Sequence, residues 1–211
     1  MKLPAFYPII DADLVSSDPA AEALLDAGAR ILQFRHKSFF SRQAFEEASR
    51  IAEICKRAGA LFVVNDRADI AMLLNAALHL GQDDLAPSDA RKILPPGTII
   101  GFSTHNEEQL RAADAEPVDY LAIGPIFTTG SKQNPDPVVG LDQLRSLRRL
   151  TRKPLVAIGG ITRELAPKVF EAGADSVAII GDLYPNLPER AAEWVAISAG
   201  ARDARVRDAG P

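Results

Sequence analysis

The feature that most constrains this chain is an alternation that repeats along nearly all of it. Short apolar runs rich in β-branched and aromatic residues occur at Phe6–Ile10, Arg30–Phe34, Ala60–Val64, Ala77–Leu80, Thr98–Gly101, Tyr120–Ile123, Leu155–Ile158 and Ser176–Ile180. Between them lie longer segments with the 3.6-residue periodicity of amphipathic helices. In Ser41–Ala58, for example, Phe45, Ala48, Ile51, Ala52 and Cys55 fall on one face, and Ser41 stands where an N-cap belongs. Three helix-to-strand joints read Ala-Gly-Ala, at 27–29, 58–60 and 172–174. A glycine there ends a helix in a left-handed C-cap and turns the chain back toward a sheet. Eight such units, spaced by about 26 residues, predict a closed parallel (β/α)8 TIM barrel, a single α/β domain over residues 1–199. A doubly wound open sheet is the alternative, because periodicity does not reveal closure. Residues 200–211 are small and charged, and predict a disordered, frayed tail.

Composition narrows the function classes. Apolar residues make up 47% and charged residues 25%, the balance of an ordinary globular protein. A net charge of −4 argues against a nucleic-acid binder, which carries a basic surface. The lone Cys55 cannot close an internal disulfide. No apolar run reaches membrane-span length, and the start Met1-Lys2-Leu3-Pro4 lacks the apolar stretch of a secretory signal. The expectation is a soluble cytoplasmic protein without nucleic-acid or membrane partners. Barrel helices can pair into a homodimer, but no patch in the sequence identifies such a face.

A barrel places its chemistry just beyond the C-terminal strand ends. Those positions carry Gln33-Phe34-Arg35-His36-Lys37, Asn65-Asp66-Arg67, Gly81-Gln82-Asp83-Asp84, Ser103-Thr104-His105, Gly124-Pro125 through Lys132, and Gly159-Gly160-Ile161. Polar and glycine residues thus gather in six of the eight units, which marks a site. Arg35 and Lys37, two residues apart, point to one side, and two converging cations call for an anion such as phosphate. Surface pairing with helix carboxylates is their other reading. Asp66 and Asp84 stand in neighbouring loops where two carboxylates suit a Mg²⁺ that also takes diphosphate oxygens; a helix N-cap is the other reading of Asp66. Gly159-Gly160, with Val177–Gly181 in the next unit, has the look of a phosphate cup, or else of a tight turn. The stretch from Thr128 to Pro137 reads as a lid over an anionic substrate or as an inert excursion. His79, inside an apolar strand, reads as a packed, hydrogen-bonded residue; His105 reads equally as a proton shuttle or a helix cap. Cys55 reads as core, and Trp194 as the anchor of the last helix.

The order Gln33-x-Arg35-x-Lys37, Asn65-Asp66-Arg67, His79-Leu80-Gly81-Gln82-x-Asp84, Ser103-Thr104-His105, Gly124-Pro125-Ile126-Phe127, Thr129-x-Ser131-Lys132 and Gly159-Gly160-Ile161 resembles the thiamine-phosphate synthase family. The likeness runs from about Tyr7 to Ile180. It implies a transferase that couples 4-amino-2-methyl-5-(diphosphooxymethyl)pyrimidine with hydroxyethylthiazole phosphate, or its carboxylated form, releasing diphosphate. By this resemblance Gln33, Phe34, Arg35, His36, Lys37, Asn65, Ser103 and Lys132 would hold the pyrimidine diphosphate. Thr129, Gly130, Ser131, Gly160, Ile180 and Gly181 would hold the thiazole phosphate, and Asp66 and Asp84 would carry Mg²⁺. Arg35, Lys37 and Lys132 would be the catalytic cations. Three positions depart from the family pattern: His36 replaces an acidic residue, Ser131 a threonine, and Gly181 a serine, with Asp182 directly after it. A thiazole tautomerase on the same barrel and a non-catalytic sensor of phosphorylated ligands are the competing classes.

Overall fold

The structure, a computed structural model, describes residues 2–129, 136–184 and 186–208, with the backbone alone for 202–208. Among the described residues, eight strands alternate with eight α-helices, and a short 3-10 turn, Gly181–Leu183, follows the last strand. The strands are β1 (Phe6–Asp11), β2 (Ile31–Arg35), β3 (Leu61–Asn65), β4 (Ala77–Leu80), β5 (Ile100–Thr104), β6 (Tyr120–Ile123), β7 (Leu155–Ile158) and β8 (Ser176–Ile179). The helices are α1 (Ser17–Asp26), α2 (Arg42–Arg57), α3 (Ala68–Leu74), α4 (Pro87–Ile93), α5 (Glu107–Ala115), α6 (Gly140–Arg148), α7 (Ala166–Glu171) and α8 (Leu187–Asp208). All strand pairs are parallel, and β8 pairs with β1, which closes the barrel and removes the open-sheet alternative.

Sequence and structure agree on the local devices. Ser41 caps α2 by accepting from the Ala44 N–H at 3.3 Å. Gly28, Gly59 and Gly173, the three joint glycines, take φ of +111°, +63° and +107°. Strand bounds shift by one residue in β1, β2, β3 and β8, and most in β5, which starts at Ile100 rather than Thr98 and runs through Ser103 and Thr104. Pro95, Pro96 and Gly97 hold the preceding chain in a turn, so the pairing begins two residues later than the apolar run suggests. The last helix also carries on into the segment expected to fray, as far as Asp208, where alanine and arginine favour helix.

Two apolar layers follow from the alternation of the strands. The outer layer lies between sheet and helices and includes Ile10, Phe34, Ile51, Cys55, Leu78 and Trp194. Trp194 stacks on Phe6 at 5.9 Å and so anchors α8, as the sequence implies. The inner layer, with Leu3, Ile9, Ile31, Val63, Ala77 and Val156, fills the barrel axis toward the N-terminal strand ends. No helix among the described residues is long and apolar enough to cross a membrane.

Candidate active site

Above the inner layer opens a cavity of about 810 Å³ at the C-terminal strand ends. Strand alternation decides which residues face it. Gln33, Arg35 and Lys37 line it, whereas Phe34 lies in the outer core and His36 is half-buried outside the cavity. Of the five consecutive residues expected as ligands, every second one lines the cavity. His36 packs edge-on to Phe40 at 5.5 Å and makes a 3.2 Å hydrogen bond with the Ser38 carbonyl.

On one side of the cavity, formed by β1 to β4, charges are matched in pairs. Arg35 is ion-paired with Asp11, which ends β1 and is 5% exposed. Lys37 is ion-paired with Asp66. The two cations thus converge as the sequence implies, held in the free protein by carboxylates of the neighbouring strands. Asp13 steadies the loop from β1: its Oδ2 accepts from the backbone N–H of Lys37 at 2.9 Å and of Ser38 at 3.2 Å. Asp66 does not cap α3, whose N-cap is Arg67; it takes φ of +65° and faces the cavity. Asp84 turns back to accept from the Gly81 N–H at 2.6 Å. Burial, and then direct hydrogen-bonding contact with Asp66, push the Asp84 carboxyl above the usual range.

The floor is polar and connected. Gln33 Nε2 donates to the Tyr7 hydroxyl at 2.9 Å, and Tyr7 meets the Tyr120 hydroxyl at 2.8 Å. His79 bridges onward, with Nδ1 3.0 Å from the Tyr120 hydroxyl and Nε2 2.9 Å from Ser103 Oγ. His79 is buried as expected, and that burial lowers its pKa to about 4, so it is neutral near pH 7. Burial raises both tyrosine pKa values, so their hydroxyls keep their protons. Asn65 also lines the cavity, and its buried Nδ2 has no partner among the described residues.

The opposite side, from β6 to β8, brings glycines to the cavity beside Thr128, Thr129, Thr162 and Asp182. Gly159 and Gly160 have φ of +95° and +65° and pack against the β6 loop. A Cβ on Gly160 would stand 2.4 Å from the Thr128 carbonyl oxygen, so glycine is required by contact as well as by torsion. Thr129, Gly160, Ile180 and Gly181 all line the cavity, while Gly130, Ser131 and Lys132 lie outside the described residues. Asp182 is engaged: Trp194 Nε1 donates to it at 2.9 Å, and Arg163 and Arg190 stand 3.2 and 3.4 Å away. Its charge is thus answered by two guanidinium groups. His105 does not cap α5, because Asn106 does so by accepting from the Gln109 N–H at 2.9 Å. Its Nδ1 lies 2.6 Å from the Gly124 carbonyl and 3.4 Å from Asp136.

Sequence reading missed Asp11, Asp13, Tyr7 and Tyr120. The signal for the aspartates was a polar Asp11-Ala12-Asp13 directly after the first apolar run; for the tyrosines, hydroxyls at buried strand positions that require partners.

Residues 6–183 match the family model described as thiamine monophosphate synthase. A thiamine-phosphate synthase of Koribacter versatilis is 48% identical, over 93% of this chain and 97% of that protein. One from Moorella thermoacetica is 40% identical, over 82% and 85%. The solved structure of thiamine phosphate pyrophosphorylase from Pyrococcus furiosus superposes with a TM-score of 0.86 at 29% identity, over 94% of this chain and 96% of that one.

Proposed function

The chain belongs to the thiamine monophosphate synthase family, whose members are transferases of thiamine biosynthesis, and from that premise we propose which part of the cavity takes which substrate. The pyrimidine diphosphate lies with its ring on the floor beside Gln33 and Ser103, and with its diphosphate toward Arg35, Lys37, Asn65, Asp66 and Asp84. The thiazole phosphate lies against Thr129, Gly160 and the Ile180-Gly181 backbone. The observation that carries this reading is a single cavity with two unlike ends, one of paired charges and one of glycine backbone.

The residues fit the chemistry. The bond between the pyrimidine methylene and the diphosphate oxygen breaks, and both electrons leave with the diphosphate. The thiazole ring nitrogen then gives its lone pair to the methylene, forming thiamine phosphate. That nitrogen carries no proton, so no general base is needed. The work falls to orientation and to balancing charge on the departing group. The Arg35 guanidinium can take two diphosphate oxygens side by side, and the Lys37 ammonium acts as a point charge. Asp13 fixes the loop that carries Lys37. Gly160 lets a phosphate approach the backbone closely, and Gly181 offers its N–H.

Asp66 and Asp84 fit Mg²⁺. They are two adjacent oxygen donors, one with a raised pKa that a nearby cation would relieve. Among the described residues no cluster of three or more His, Cys, Asp or Glu stands ready for a metal, so water and substrate oxygens would complete its shell. Bound there, Mg²⁺ would neutralise charge on the diphosphate. Small phosphorylated substrates that do not cross membranes unaided support a cytoplasmic location.

The test is incubation with both precursors and Mg²⁺, with and without EDTA, following thiamine phosphate by fluorescence after oxidation. Metal-dependent product is expected; folded protein that forms none overturns the reading.

A further inference from the structure

His79, Gly101 and Tyr120 are in register on three consecutive strands, His79 opposite Gly101 and Gly101 opposite Tyr120. Side chains two strands apart are separated by roughly 9.6 Å of sheet. Tyr120 reaches His79 only because the strand between them carries no side chain at that level. A Cβ on Gly101 would stand 2.0–2.4 Å from the Tyr120 ring and hydroxyl. Gly101 has no positive φ, so contact rather than torsion is what calls for glycine there.

The contact links five groups into one chain of hydrogen bonds whose polarity is common to all of them. An amide nitrogen can only donate, so Tyr7 accepts from Gln33. Either hydroxyl could donate across the Tyr7–Tyr120 contact, but Tyr7 already accepts from Gln33, and among these five groups its own hydrogen finds an acceptor only on the Tyr120 oxygen; the Tyr120 hydrogen then goes to His79 Nδ1. A neutral imidazole that accepts at Nδ1 carries its proton on Nε2, where it donates to Ser103 Oγ. The Ser103 hydrogen is left to point into the cavity. We propose that Tyr120, seated over Gly101 and fed by Tyr7, is a positioning residue that fixes the Nε2–H tautomer of His79 and thereby makes Ser103 a hydrogen-bond donor to the substrate ring. The opposite polarity would reverse every member: Gln33 would accept, His79 would carry its proton on Nδ1, and Ser103 would be spent as a donor to the histidine.

The assignment to the pyrimidine rests on the functional reading above, whereas the tautomer does not. The first measurement is therefore nitrogen NMR of ligand-free protein labelled with ¹⁵N-histidine, with His79 assigned by its loss in His79→Gln. The wild type is expected to show one tautomer, with a pyridine-type Nδ1 and a pyrrole-type Nε2. In Tyr120→Phe, which keeps the ring, both tautomers are expected. In turnover, KM for the pyrimidine diphosphate should rise about tenfold, and KM for the thiazole phosphate should stay within about twofold. Gly101→Ala should reproduce that signature while keeping the hydroxyl. If Tyr120→Phe does not fold, Tyr7→Phe replaces it, since removing the donor to Tyr120 also frees the polarity. A wild-type Nδ1–H, or a single unchanged tautomer with unchanged KM in Tyr120→Phe, overturns the proposal. Absence of thiamine phosphate from the wild type would sink the functional reading and leave the tautomer result standing.

Discussion

The two flanks of the cavity are built by opposite means. From β1 to β4 the wall is made of side-chain charge, Arg35 against Asp11 and Lys37 against Asp66, with Asp84 close by. From β6 to β8 the described residues offer glycines and threonine hydroxyls, with Gly159, Gly160 and Gly181 at the cavity beside Thr128, Thr129 and Thr162, and Asp182 tied down by Arg163, Arg190 and Trp194. The contrast fits the proposed placement of the substrates. A diphosphate that departs would gain charge during the reaction, and cations already held in place would meet that gain. A phosphate that only anchors its ring needs a fixed seat, and backbone N–H groups supply one without net charge.

The contrast breaks most sharply at the carboxylates. Asp66→Ala and Asp84→Ala should each lower kcat about 100-fold or more while the barrel stays folded, measured by turnover at saturating Mg²⁺. Equal activity in either variant would mean that the charged flank is not where the diphosphate leaves. Next in size is Gly160→Ala. Its φ of +65° and the contact with the Thr128 carbonyl should cost about 1–3 kcal/mol of stability in denaturant unfolding. KM for the thiazole phosphate should rise about tenfold, with KM for the pyrimidine diphosphate unchanged.

Gly181→Ser sharpens the comparison in the other direction. Nothing lies within 4 Å of a Cβ at Gly181, and its φ is not positive, so a hydroxyl can be added to the backbone flank without strain. KM for the thiazole phosphate should fall about threefold, with stability within about 0.5 kcal/mol of the parent. An unchanged or higher KM would mean that the glycine backbone alone already saturates that seat. The smallest effect is on the ligand-free fold. The Asp84 pKa is raised, by burial first, so its charged form opposes folding once pH climbs above the ordinary carboxylate range. Asp84→Asn, which can still accept from Gly81, should raise Tm by about 2 °C near pH 7.5 in metal-free buffer. That gain should shrink as pH falls below the ordinary carboxylate range, where Asp84 is protonated in both folded and unfolded states.

What the sequence disclosed depended on whether a property repeats along the chain. The barrel did, because each unit restates it: an apolar run, an amphipathic helix, and in three joints an Ala-Gly-Ala turn that takes positive φ. Most cavity residues also followed, since alternation along a strand carries Gln33, Arg35 and Lys37 to one side together. The same alternation turns Phe34 and His36, which a contiguous motif suggests as ligands, away from the cavity lining. Pairings between strands were hidden. That Asp11 holds Arg35, or that Tyr120 reaches His79 over Gly101, depends on the register of one strand against the next, which the apolar pattern does not state. A change in where a strand begins is equally hidden, as in β5, because a two-residue offset leaves the apolar pattern in place.

The inner apolar layer has a consequence for traffic. Leu3, Ile31, Val63 and Ala77 stopper the barrel below the polar floor, so the cavity behaves as a well with one opening. In a well, depth becomes sequence in time. If the pyrimidine rests on Gln33 and Ser103 as proposed, it must arrive before anything that lies across the rim, and once the two are joined they can leave only as one piece. A fold built for packing density would thereby set the order of entry.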